Sequence, residues 1–311
     1  MFWPFARFIG KRHSTPLVTL EGRELPTQQP EIAIQRLDLF ASCPDSVFLI
    51  SGLESSTVWN ELMLRMSRHS INYGSFQPCG FDGGVDRLAE QTLESMLTHL
   101  KSRLLDFRDR FEEWCPGENL HLQLVGHSFG TVLGSLLLAN HAQWLFEERI
   151  NVVGLHLMAP ALFPKPWPLR LLLWLQRFSP RVVRLLCKLP WDISLKRFQQ
   201  MEKREGHQPH ASVLQIGLLP EYPREFVPEL MRGMLRAREA LVVRDRVQAP
   251  IWLYEGAHDV LFDPVPSEYW KTVLRGADRY TFRQSGHFVP TDHDMVEVCR
   301  ALFDKFAKSP E

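Results

Sequence analysis

Short apolar runs of strand character alternate with longer runs of helical period along most of this 311-residue chain. "EIAIQRLDLF" (31–40) alternates apolar and polar residues, and "SVFLISG" (46–52) reads as a buried strand ending at a glycine. "SINYGS" (70–75), "LHLQLV" (120–125), "NVVGLHLMA" (151–159), "APIWLYEG" (249–256) and "DRYTF" (278–282) are further strands. Between them, residues 86–114 place Leu93, Met96, Leu97, Leu100, Leu104, Phe107 and Phe111 at three- and four-residue steps, which predicts a long amphipathic helix. Residues 129–146 and 294–307 predict two more. Strands separated by helices need right-handed crossovers. The expected class is therefore α/β, a mostly parallel sheet covered by helices on both faces.

One stretch interrupts the alternation. The residues between 159 and 249 exceed what a single crossover requires and carry helical patterns of their own, "PLRLLLWLQRF" and "PRVVRLLCKL". The chain thus divides into an N-terminal arm (1–29), a core (30–160 and 245–311) and an inserted helical cap (161–244). From Lys165 to Arg197 the cap carries Lys165, Arg170, Arg177, Arg181, Arg184, Lys188, Lys196 and Arg197 against the single acid Asp192. Two readings stay open. The cap's apolar stripe packs on the core with its charges solvated, or Trp167, Trp174 and the cap leucines shape an apolar substrate pocket behind a basic rim that meets a membrane surface or an anionic group. The arm, with Arg7, Lys11 and Arg12 among aromatics, is the other place for membrane contact.

Charge narrows the function classes. The 36 basic and 36 acidic residues cancel, which removes any general electrostatic case for nucleic acid. Five cysteines, odd in number and without a CxxC pair, predict reduced thiols in a cytoplasmic protein and no structural zinc. No apolar run reaches the roughly 18 residues of a membrane-spanning helix.

The chemistry begins at Gly126-His127-Ser128-Phe129-Gly130. A G-x-S-x-G pattern after a strand and before a helix fits a nucleophile elbow, where small flanking residues let strand and helix approach a serine held in strained backbone geometry. A serine hydroxyl needs a base, and the base needs an orienting acid. Asp259 follows the strand that ends at Gly256, and His287 follows Ser285-Gly286 after the last strand. Asp263, before Pro264, is the rival acid. His127 reads as a packed or hydrogen-bonded histidine, and His258 as a loop residue. His287 with Asp292, His293 and Asp294, or His207 with His210, lacks a convincing set of metal ligands. No cofactor is called for.

With GHSFG, the G-x-x-D of Gly256–Asp259 and the S-G-H of Ser285–His287 in that order, the chain resembles α/β-hydrolase fold proteins with a helical cap over roughly residues 30–305. The resemblance implies Ser128 as nucleophile, His287 as general base and acid, and Asp259 as orienting acid. It also implies an oxyanion hole made by the backbone N–H groups of Phe129 and Leu53. Ser51-Gly52-Leu53 stands where relatives usually carry His-Gly-x, a departure that removes the usual support of that loop. Dehalogenases and cap-bearing epoxide hydrolases share this plan but use an aspartate nucleophile, so a serine at 128 excludes their chemistry. The expected activity is cleavage of an ester or thioester with an apolar acyl or aromatic group. An acyltransferase with the same residues, or a non-catalytic binding protein that keeps the fold, are the alternatives.

Overall fold

The computed structural model describes residues 46–52, 72–78, 92–166, 226–242, 249–259, 261–273, 278–283 and 285–287, together with Trp59, Leu62, Met63, Met66 and Val289. Six strands form one sheet: β1 (Ser46–Ile50), β2 (Asn72–Phe76), β3 (Leu120–His127), β4 (Ile150–Met158), β5 (Ile251–Gly256) and β6 (Arg279–Phe282). Their spatial order is β2-β1-β3-β4-β5-β6 and every pairing is parallel. The strand expected at 31–40 and the helix expected at 294–307 lie outside the described residues, as do the N-terminal arm and residues 167–225.

Four described helices accompany the strands: α1 (Leu93–Trp114), α2 (Phe129–Glu147), α3 (Phe226–Val242) and α4 (Ser267–Val273). The helical period expected from residue 86 gives a helix from Leu93. Thr92 caps it by accepting the Ser95 N–H at 3.1 Å, while Ser95 Oγ accepts the Thr92 N–H at 2.9 Å. That reciprocal pair satisfies two donors that have no partner inside the helix. The seven apolar residues picked out by spacing are the seven that α1 buries.

Each strand sends alternate residues to opposite faces of the sheet. Phe48, Ile50, Leu122, Leu124, Leu155, Leu157, Ile251 and Leu253 meet α1, α2 and α3 on one face. Val47, Leu49, Val125, Met158, Tyr254 and Phe282 meet Trp59, Leu62, Met63, Met66 and Val289 on the other. Because α2 lies between the sheet and α3, every residue from Phe129 to Ala139 is buried, and the helix has no polar side over that length. Within the long stretch after β4, α3 rests on α2 through the face that buries Leu230, Met234, Ala237, Ala240 and Leu241.

The order of the strands sets the location of any site. From β1 the chain steps to β2 on one side, then returns to place β3 on the other. The crevice between the C-terminal ends of β1 and β3 is therefore a topological switch point, where open parallel sheets take their ligands. No helix among the described residues is long and apolar enough to cross a membrane.

One expectation is corrected. Cys115, at the end of α1, is disulfide-bonded, so the thiols are not all reduced. The sequence offers Cys43, Cys79, Cys187 and Cys299 as partners, all outside the described residues. The reasoning from odd count and absent CxxC failed because two cysteines distant in sequence leave no local spacing signal. Alkylation under denaturing conditions without reductant is expected to modify at most three of the five cysteines, with all five modified after reduction. Five modified without reductant would show that Cys115 is a free thiol.

Candidate active site

The G-x-S-x-G segment forms the corner between β3 and α2. Ser128 has φ 53° and ψ −123°, a left-handed conformation that a serine adopts only at a cost and under tight constraint. The constraint comes from both flanks. A Cβ added at Gly126 would meet the Gly130 carbonyl oxygen and the Thr131 nitrogen at 2.7 Å, and one at Gly130 would lie 2.0 Å from the Ile50 carbonyl oxygen. Any side chain at these positions pushes backbone away from backbone.

Three further bonds hold the turn. The Ser128 N–H donates to the Met158 carbonyl at 3.0 Å. Thr131 Oγ1 donates to the Ser128 carbonyl at 2.6 Å and accepts the Ala161 N–H at 3.2 Å. Thr131 thereby ties the elbow to the chain leaving β4. It escaped the sequence reading, although a polar residue in so apolar a helix was a usable signal.

The loops after β5 and β6 bring the other two residues to Ser128. Asp259 follows β5, and its Oδ1 accepts the N–H groups of Leu261 (2.8 Å) and Phe262 (3.0 Å). Its Oδ2 accepts from His287 Nδ1 at 2.8 Å. On the opposite side of the ring, His287 Nε2 lies 2.9 Å from Ser128 Oγ. The chain closes this arrangement through His258 N–H to the Ser285 carbonyl (3.0 Å) and Ala257 N–H to the Phe282 carbonyl (2.9 Å), which join the ends of β5 and β6. Ser128 and His287 are both buried.

These contacts fix the protons. A carboxylate only accepts, so His287 Nδ1 carries the hydrogen that faces Asp259. In neutral imidazole the Nε2 lone pair then faces the Ser128 hydroxyl. Burial alone would raise the Asp259 pKa. The His287 charge, its hydrogen bond and the two main-chain N–H groups outweigh that and hold the carboxyl below its ordinary value of 3.8. Asp259 thus stays ionised beside the ring.

The rival acid Asp263 is exposed, and its N–H donates to the Phe163 carbonyl at 2.8 Å. Glu255, at the end of β5, pairs with Arg279 at 2.6 Å and accepts the Val265 N–H. Burial pushes its carboxyl above the ordinary range despite those partners. His258 is exposed. His127 is fully buried and donates from Nε2 to the main-chain oxygen of His287 at 2.7 Å. The packing surface of His287 is completed by Phe262, with ring centroids 5.2 Å apart.

Phe129 opens α2, and the N–H groups of a helix's first turn have no partner within it. Leu53 lies outside the described residues, but Ser51 and Gly52, which lead into it, sit at the C-terminal end of β1 beside β3. Among the described residues no group of three or more His, Cys, Asp or Glu side chains is arranged to hold a metal. His207, His210, Asp292, His293 and Asp294 are outside them.

A parallel sheet of this strand order, with a strained serine corner after the central strand and an acid and a histidine on the loops after later strands, defines the α/β-hydrolase fold. Solved structures of enzymes with that fold superpose on nearly the whole chain. A structure of the metagenome-derived lipolytic enzymes LipS and LipT matches with a TM-score of 0.57 and 14% identity, over 88% of this chain and 100% of that one. A hydrolase from Oleispira antarctica gives 0.58 and 13%, over 89% and 94%. The enol-lactonase from Burkholderia xenovorans gives 0.56 and 14%, over 89% and 95%. At these identities the likeness establishes the fold. No protein-family model matches the sequence. No curated protein matches it either.

Proposed function

We propose that this chain is a serine hydrolase that cleaves an ester or thioester of an apolar acyl or aromatic group through an acyl-enzyme. The observation that carries the reading is the continuous line from Asp259 through His287 to Ser128, with contacts of 2.8 and 2.9 Å at the strained corner. Such a line is what nucleophilic catalysis by serine needs, because the hydroxyl is a weak nucleophile until a base takes its proton.

His287 Nε2 removes the Ser128 proton as Oγ adds to the substrate carbonyl carbon. The carbonyl oxygen becomes an oxyanion between the N–H groups of Phe129 and Leu53. When that intermediate collapses, the bond to the leaving group breaks and His287 returns the proton to the departing oxygen or sulfur. Water then attacks the acyl-enzyme, giving one proton to His287, and collapse returns that proton to Ser128 Oγ. Asp259 stays ionised throughout and stabilises the imidazolium. Lipolytic enzymes and an enol-lactonase stand among the structures that share the fold, which supports an ester-cleaving reading.

The test is labelling with a fluorophosphonate, in which Ser128 Oγ displaces fluoride from phosphorus while its proton passes to His287. One label per chain, on the peptide that contains Ser128, supports the reading. A wild-type chain that takes no label, or a Ser128→Ala variant labelled equally, would falsify it. Partition of a p-nitrophenyl ester's acyl group between water and added alcohols then separates hydrolysis from acyl transfer. Predominant transfer at dilute alcohol would assign an acyltransferase.

A further inference from the structure

His127 ends β3 and directly precedes the nucleophile, yet its imidazole takes no proton in the reaction proposed above. It is fully buried, and its Nε2 stands 2.7 Å from the main-chain oxygen of His287. A carbonyl oxygen can only accept, so the hydrogen between them sits on His127 Nε2. Burial makes such a bond costly to lose, since a polar group left unpaired away from water forfeits its solvation.

The bond closes a circuit. Ser128 Oγ meets the ring of His287 at Nε2, 2.9 Å away, and the main chain of the same His287 returns to His127, the covalent neighbour of Ser128. Base and elbow are therefore joined twice, once by the bond through which the proton would pass and once by a bond that carries none. The second one joins residues 160 positions apart and sets where the main chain of His287, and so the ring hung on it, stands relative to the elbow.

His127 is itself held in place. Trp59, also fully buried, meets it edge to face, with centroids 6.0 Å apart and planes at 85°. The indole is fixed in turn by its N–H, which donates to Ser51 Oγ at 2.9 Å. The His127 ring lies 5.2 Å from that of His287.

We propose that His127 is a positioning residue for the base: its Nε2–H fixes the main chain of His287 against the elbow and so maintains the approach of His287 Nε2 to Ser128 Oγ. The inference rests on the serine-hydrolase reading above. Placement matters here because a displacement of about 1 Å at a reacting group costs on the order of a hundredfold in rate.

Two substitutions separate the donor from the ring. His127→Phe keeps an aromatic ring against Trp59 and His287 and removes the donor. His127→Gln gives up the ring, but its amide nitrogen extends about as far as Nε2 and can donate to the His287 oxygen. The rate of fluorophosphonate labelling, measured on the chains that label, is the readout, and the fraction labelled reports separately on folding. His127→Phe is expected to slow labelling by about a hundredfold, and His127→Gln to recover at least about tenfold of that loss.

A packing role predicts the reverse order. Equal slowing of the two variants, slower labelling by His127→Gln than by His127→Phe, or a wild-type rate in His127→Phe each overturns the proposal. Should His127→Phe fail to fold, His127→Asn, whose shorter amide stops short of the His287 oxygen, takes its place with the same expectations. An unlabelled wild type defeats the serine-hydrolase reading and this role with it, whereas a labelled wild type whose variants ignore the donor defeats this role alone.

Discussion

Ser128→Ala is expected to lower kcat by about a millionfold, with the circular-dichroism spectrum unchanged. The size follows from what the substitution removes. His287 keeps its bond to Asp259 at 2.8 Å, and the elbow keeps its main-chain bonds to Met158 and Ala161. Under the proposed mechanism the oxygen that would form the acyl bond is gone, and water has no fixed position in its place. Residual hydrolysis then comes from binding and the oxyanion donors alone. Turnover of p-nitrophenyl esters at enzyme concentrations high enough to see that residue is the measurement, and a variant retaining more than about a hundredth of the activity would locate the nucleophile elsewhere.

Asp259→Asn should cost about ten-thousandfold in kcat while altering the shape of the site little. The asparagine oxygen can still accept the N–H groups of Leu261 and Phe262, so the loop keeps its form. Its amide nitrogen, however, would face His287 Nδ1 and donate to it. Nδ1 then becomes the acceptor, the ring proton moves to Nε2, and the atom facing Ser128 Oγ can no longer take a proton. The same variant has a stability signature. The native carboxyl titrates below its ordinary value, so ionised Asp259 stabilises the fold at pH values above 3.8, and that stabilisation is lost as pH falls through the lowered native value. The gap in urea stability between wild type and Asp259→Asn should accordingly be full near neutrality and close on acidification. A gap that widens towards low pH would contradict the direction of the shift.

The six strands, α1 and α2 were legible in the sequence because their signals are local, whereas α3 and α4 were not singled out. Short apolar runs bounded by glycines and polar residues defined the strands, and the period of Leu93 to Phe111 defined α1 with all its buried positions. The GHSFG corner was legible for a similar reason, since glycine spacing reports directly on how closely backbone must approach backbone. Asp259 and His287 were found by order and by their places after strands, which needs only the premise that parallel strands end at one edge.

What stayed hidden depends on contacts that no local pattern encodes. Trp59 and Ser51 are eight residues apart in a stretch without regular period, and nothing in their spacing announces a hydrogen bond. His127 read as a packed histidine. That it is, but its partner is the main chain of a residue 160 positions away. The oxidised state of Cys115 was missed because pairing of distant cysteines is a property of the folded chain.

The exit from β4 carries a consequence for how such proteins can be recombined. Pro164 forms an antiparallel bridge with Phe262, the Lys165 N–H donates to the Leu261 carbonyl at 3.0 Å, and Lys165 Nζ donates to the Asp259 carbonyl at 2.6 Å. The first residues beyond the sheet are therefore stitched to the loop that presents the acid. Chimaeras that exchange the segment after β4 with that of another protein will inherit this stitching only if the junction falls beyond Lys165. Cut before Phe163, the incoming chain must rebuild three contacts under Asp259, and a change meant to alter what the protein accepts would also alter how its base is aimed.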